Sequence, residues 1–182
     1  MFFIEDNPII AAVHTKEDFD EAIKSQLNVI FLLKTNIFTL KDYVSTAHKK
    51  DKFVFIHADM IEGVARDIYG IEYIANTGAD GIISTRGNII KYAREHKLRT
   101  IQRFFIIDYH SFDTAIEAIK MQMPDMIEIM PGVVPKIISK FKENVKVPII
   151  TGGLIETKSE ILDALNAGAS SISTSNKKLW YS

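Results

Sequence analysis

Short apolar runs alternate along the chain with segments whose apolar residues recur at helical spacing. The runs are PIIAAV (from Pro8), NVIFLL (from Asn28), FVFIHA (from Phe53), GIIST (from Gly81), IQRFFI (from Ile101), DMIEIM (from Asp125), VPIIT (from Val147) and SSISTS (from Ser170), eight in all. Their starts lie roughly 23 residues apart, room for a strand, a helix and two short loops. Several runs are apolar at consecutive positions, as strands are when both faces of a parallel sheet are covered. Between them, residues 15–26 open with Thr15 and Asp18 and place Phe19, Ala22 and Ile23 on one face. Residues 111–122 open with Ser111 as the expected N-cap and carry Phe112, Ala115, Ile116 and Ile119 at i, i+3, i+4, i+7. Residues 157–167 begin with Thr157 and Glu160 at capping-box spacing and stop at Gly168.

Eight strand–helix repeats predict a compact α/β fold, a (β/α)8 TIM-type barrel spanning residues 1–182 as one domain. Typical barrels hold about 250 residues, so loops here must be short. The tail after Ser173 is too short for a full eighth helix, which predicts a truncated last one. An open doubly wound sheet is the competing pattern.

Composition narrows the chemistry. Hydrophobic residues at 47% and charged residues at 25% suit a globular protein with a substantial core. The chain has no cysteine, which excludes disulfides, thiol nucleophiles and thiolate metal sites. No apolar run reaches the ~18 residues of a membrane span, and the N-terminus lacks a signal-peptide pattern, so a cytoplasmic location without membrane association is expected. A net charge of −1 gives no global attraction for nucleic acid. Local basic clusters exist, the richest being Lys91, Arg94, Lys97 and Arg99 around an expected helix C-terminus, with the first three at a spacing of three along one helical face.

In such a barrel, the C-terminal strand ends carry the site. Those ends hold His14, Lys34, His57, Asp59, Ser84 to Arg86, Gln102, Arg103, Glu128, Gly152, Gly153 and Ser173 to Asn176. The loops after the seventh and eighth strands often make a phosphate site. Here they offer Gly152-Gly153 and Thr174-Ser175-Asn176, a cradle of small residues with hydroxyls and backbone N–H groups. The plainer reading of each is a tight turn. His57 and Asp59 flank one residue, so either one of them faces inward or the strand has already ended. Arg103 and Glu128 read equally well as a buried ion pair. No metal cluster and no catalytic dyad follows from these spacings.

The segments HxDxIEG, GIISTR, IQRFF, PDxIEIMPG, GGLI and STSNxxLW, linked over about Pro8 to Trp180, resemble the glycerol uptake operon antiterminator family. The resemblance implies a barrel-type cytoplasmic regulator without cofactor or catalytic residues, which senses glycerol 3-phosphate and binds leader mRNA of glycerol-utilisation genes. It carries the phosphate to Gly152, Gly153, Thr174, Ser175 and Asn176, and the polyol end to other strand ends, for which His57, Asp59, Arg103 and Glu128 are the candidates. Lys91, Arg94, Lys97 and Arg99 are the candidates for RNA. Thr151, Ala58, Met60 and Lys34-Thr35 depart from the family pattern at positions that bear on ligand affinity. A homo-oligomer remains open. The alternative from a different class is a small TIM-barrel enzyme acting on a phosphorylated triose or sugar, for which Lys34 is the residue to watch.

Overall fold

The computed structural model describes residues 7–181; residues 1–6 and Ser182 of the expected domain lie outside the described residues. Ten strands are formed: β1 (Ile9–Val13), β2 (Val29–Leu32), β3 (Thr35–Asn36), β4 (Phe53–His57), β5 (Ile61–Glu62), β6 (Gly81–Ser84), β7 (Arg99–Phe105), β8 (Met126–Met130), β9 (Ile149–Gly152) and β10 (Ser171–Thr174). Eight close into a parallel barrel in the order β1-β10-β9-β8-β7-β6-β4-β2, and β3 and β5 form a separate two-stranded ladder. The closed barrel excludes the open doubly wound sheet. Among the described residues, seven α-helices cover it: α1 (Lys16–Lys24), α2 (Leu40–His48), α3 (Ile68–Asn76), α4 (Gly87–Glu95), α5 (Tyr109–Gln122), α6 (Pro135–Asn144) and α7 (Lys158–Asn166). A 3-10 turn at Lys177–Tyr181 stands where an eighth helix would be, with Trp180 buried.

The continuous apolar runs follow from burial on both sides of the sheet. Ile10, Phe31, Phe55, Ile83, Ile101 and Ile150 fill the inside of the barrel, with Phe31 and Phe55 meeting edge-on at 5.9 Å. Their neighbours in sequence, such as Ala11, Ile30, Ile56, Ile82 and Ile149, pack outward against the helices. Each such isoleucine contributes about 1.5–3 kcal/mol over an exposed one.

Helix ends follow local chemistry. Thr157 caps α7 through Glu160, as the spacing predicts, and Gly168 turns away behind it at φ +108. Thr15 and Asp18 close a capping box on α1 as well. The start of α5 differs from expectation: Asp108 is the N-cap, the helix begins at Tyr109, and Ser111 is the reciprocal partner three residues in. An aspartate at Ncap satisfies the same orphan N–H groups, so it moves the boundary forward.

Candidate functional site

The floor of the barrel mouth is polar because three strands place charged or hydroxylated residues at inward positions above the apolar layer. Arg103 on β7 and Glu128 on β8 are register partners. Arg103 Nε donates to Glu128 Oε2 at 2.6 Å, with the Glu128 side chain fully buried. The other carboxylate oxygen accepts from Ser173 Oγ at 2.6 Å. Arg103 and Glu128 are thus a buried ion pair extended by a serine, which offsets the cost of removing both charges from water. Gly152 stands opposite Ser173 on β9. A Cβ there would lie 2.1 Å from Ser173 Oγ and 3.1 Å from Glu128 Oε1, so the bond between them requires glycine at this position. Gly152 is buried and faces this network.

His57 ends β4 and is 4% exposed, with no hydrogen-bond partner for its buried Nδ1 among the described residues. Burial, followed by the positive charge of Arg103, pulls its pKa down to about 4, so the ring is neutral at neutral pH. The strand ends there, and Ala58–Met60 turn as a 3-10 helix, which resolves the spacing of His57 and Asp59. Asp59 turns away to accept from Ser84 Oγ (2.7 Å), Thr85 N (2.8 Å) and Thr85 Oγ1 (3.0 Å). It fastens the loop after β6 and does not line the main cavity. Gln102, next to Arg103 on the strand, points the opposite way from it and is buried on the helix-covered face of the sheet.

Above the floor opens a cavity of about 680 Å3. Gly153 to Thr157 form one wall and Thr174 to Asn176 another, with His14 at the end of β1 and Lys178 on the last turn. Gly153 has φ +76, a conformation that suits glycine, and a Cβ there would meet Met130 Cε at 2.7 Å. The walls are tied to each other. Thr174 Oγ1 donates to Ile155 O (3.3 Å) and accepts from Asn176 N (3.1 Å), while Asn176 Nδ2 donates to Glu156 O (3.2 Å). Trp180 Nε1 holds Thr174 O at 2.9 Å. Thr174 and Asn176 therefore brace the wall, and the exposed Ser175 presents its hydroxyl at the mouth.

His14 and Lys178 add a ring and an ammonium group to this mouth. The sequence left His14 open, and a 3-10 turn five residues long has no periodicity that would place Lys178 at the mouth. Lys34 lies outside the main cavity, exposed and 4.0 Å from Glu62 beside a separate shallow hollow. Thr151 faces away from the mouth and bonds Ile129 O at 3.2 Å, so this departure from the family pattern is absorbed in the wall of the barrel. Of the basic cluster, Lys91 and Arg94 lie on α4, and Arg94 Nη1 donates to Gln122 O at 2.9 Å. Lys97 lies past the helix end at φ +59, and Arg99 opens β7 at the far end of the barrel. The charges are exposed, yet they do not share one helical face: His96 ends the helix before Lys97 is reached.

A closed (β/α)8 barrel with a polar cleft between its last two strand-to-helix loops defines the class: a TIM-type barrel. The chain belongs to the glycerol-3-phosphate responsive antiterminator family, which it matches over residues 9–180. It is 37% identical to the glycerol uptake operon antiterminator regulatory protein of Listeria monocytogenes str. 4b F2365, with a TM-score of 0.92 over 96% of this chain and 95% of that one. A glycerol uptake operon antiterminator-related protein of Thermotoga maritima MSB8 is 32% identical, with a TM-score of 0.85 over 94% of this chain and 96% of that one. The uncharacterized protein YgcP of Escherichia coli (strain K12) is 35% identical over 99% of this chain and 95% of its own length.

Proposed function

We propose that the chain is a transcription antiterminator that senses glycerol 3-phosphate in this cavity and binds the leader mRNA of glycerol-utilisation genes. The observation that carries the reading is the convergence, in one mouth, of the Gly153 loop, Ser175, His14 and Lys178 above the Arg103–Glu128–Ser173 floor. The phosphate sits between Gly153 and Thr174–Asn176, with Gly152 clearing the floor beneath. The glycerol hydroxyls reach down to Arg103 and Glu128, and His57, buried near the Arg103 charge, stands behind them. Asp59 contributes by holding the neighbouring loop. The RNA is met by the exposed charges of Lys91, Arg94, Lys97 and Arg99 on the outer wall.

The site binds without turnover. The family and its two solved relatives are named for regulation. Both oxygens of Glu128 and both of Asp59 already accept hydrogen bonds, so neither carboxylate stands ready to move a proton. Titrating leader RNA against the protein with and without glycerol 3-phosphate tests the reading. A ligand-dependent change in RNA affinity is expected. RNA affinity that ignores the ligand, or a new product from glycerol 3-phosphate detected by mass spectrometry, counts against it.

A further inference from the structure

The surface beside the mouth carries an exposed apolar patch. Ile107, on the loop between β7 and α5, is 90% exposed, and Phe105 and Tyr109 on either side of it are 56% and 57% exposed. Behind this loop runs a groove of about 290 Å3, walled by Ile106, Val134 and Ile137. The patch also reaches the lip of the cavity. Phe105 is the register partner of Met130, which lines the cavity and lies against Gly153, next to the 71% exposed Leu154. Isolated exposed apolar residues are ordinary, but a contiguous set of them with a groove alongside marks an interaction surface.

We propose that a second copy of this chain docks here, as a dimer about a twofold axis. A twofold interface must complement itself, because each copy presents the same surface to the other. This one has both halves of such a contact: a projecting side chain, Ile107, and beside it an apolar groove that can receive the partner's Ile107. Its charges are also paired in kind. Asp108 lies at the groove, while α6 carries Lys136 and, one turn on, Lys140, whose Nζ sits 4.2 Å over the Tyr109 ring. The twofold brings the partner's Asp108 towards these lysines. A net charge of −1 per chain leaves little repulsion between copies. RNA fits the groove less well, since Ile106, Val134 and Ile137 wall it with aliphatic side chains and Asp108 at its edge repels phosphate.

Sedimentation velocity on the full chain, from about 1 µM to about 500 µM, tests this over the range of ordinary dimer affinities. The dimer fraction should rise with concentration. Ile107→Asp should weaken self-association by at least about a hundredfold, because the substitution enters the interface twice. Val134→Asp should act in the same direction, while Leu162→Asp, at an exposed position on α7, should not. Far-UV circular dichroism checks that each variant folds. A parent chain that stays at monomer mass throughout overturns the proposal. So does an Ile107→Asp variant that associates like the parent. Loss of leader-RNA binding on Ile107→Asp in a monomeric parent would assign the patch to RNA and overturn it equally.

Discussion

At the scale of single residues, the mouth rests on a buried histidine and a buried ion pair. Burial and the neighbouring Arg103 guanidinium hold His57 neutral, with a pKa near 4 against 6.5 for the free side chain. Between those values, the unfolded chain binds more protons at this position than the folded one, so stability rises with pH across the window. The contribution is whole at neutral pH and is lost as pH falls from 6.5 towards 4, by about 1 kcal/mol per pH unit in mid-window. Chemical denaturation at pH 7 and pH 4.5 should give a smaller acid loss for His57→Gln than for the parent; equal losses would show that the ring titrates normally. The Arg103–Glu128 pair makes the complementary case. Glu128→Gln leaves the guanidinium buried without its counter-charge, and about 3–5 kcal/mol of stability should be lost by the same assay.

At the scale of elements, the two adjacent glycines at the end of β9 do different jobs. Gly153 bends the loop that walls the cavity, whereas Gly152 makes room for Ser173 to reach Glu128. Gly153→Val places a side chain at the wall and should weaken glycerol 3-phosphate at least about tenfold in calorimetry, about 1.4 kcal/mol. Gly152→Ala should act on stability first, lowering the unfolding midpoint by displacing Ser173. Equal binding and unfolding behaviour in the two variants would remove the distinction. This division was not legible in the sequence. The paired glycines mark a close approach, but which one faces inward depends on the register of β9 against β10. The barrel itself was legible, because burial on both faces imposes long apolar runs and the capping residues of α1 and α7 announce where helices begin. Ser111 misled because Asp108 sits three residues earlier and closes the same box from the other side. The β3–β5 ladder, two residues per strand, is too short to leave a period at all.

At the scale of the whole molecule, the cavity and the basic cluster occupy different regions. The cavity opens where the strands end; α4 runs from that end towards the other, where Arg99 starts β7. Reversing the charges of Lys91, Arg94 and Lys97 together should weaken leader-RNA binding and reduce its salt dependence, since each lost phosphate contact removes a released counterion. Glycerol 3-phosphate affinity should stay near that of the parent. A triple variant that binds RNA like the parent at every salt concentration would rule out this face. The Arg94 contact to Gln122 predicts a small stability loss as well, which a melting curve separates from the binding effect.

The cavity draws its walls from opposite ends of the chain, His14 just after the first strand and Lys178 just after the last. The seam between those strands, with Ile9 beside Ile172 and Ala11 beside Thr174, must join before either wall faces the other. During synthesis, every strand from β1 to β10 has to leave the ribosome before the cavity is complete. Anything bound in the cavity bridges both sides of this seam and so helps hold shut a contact between strands far apart in sequence.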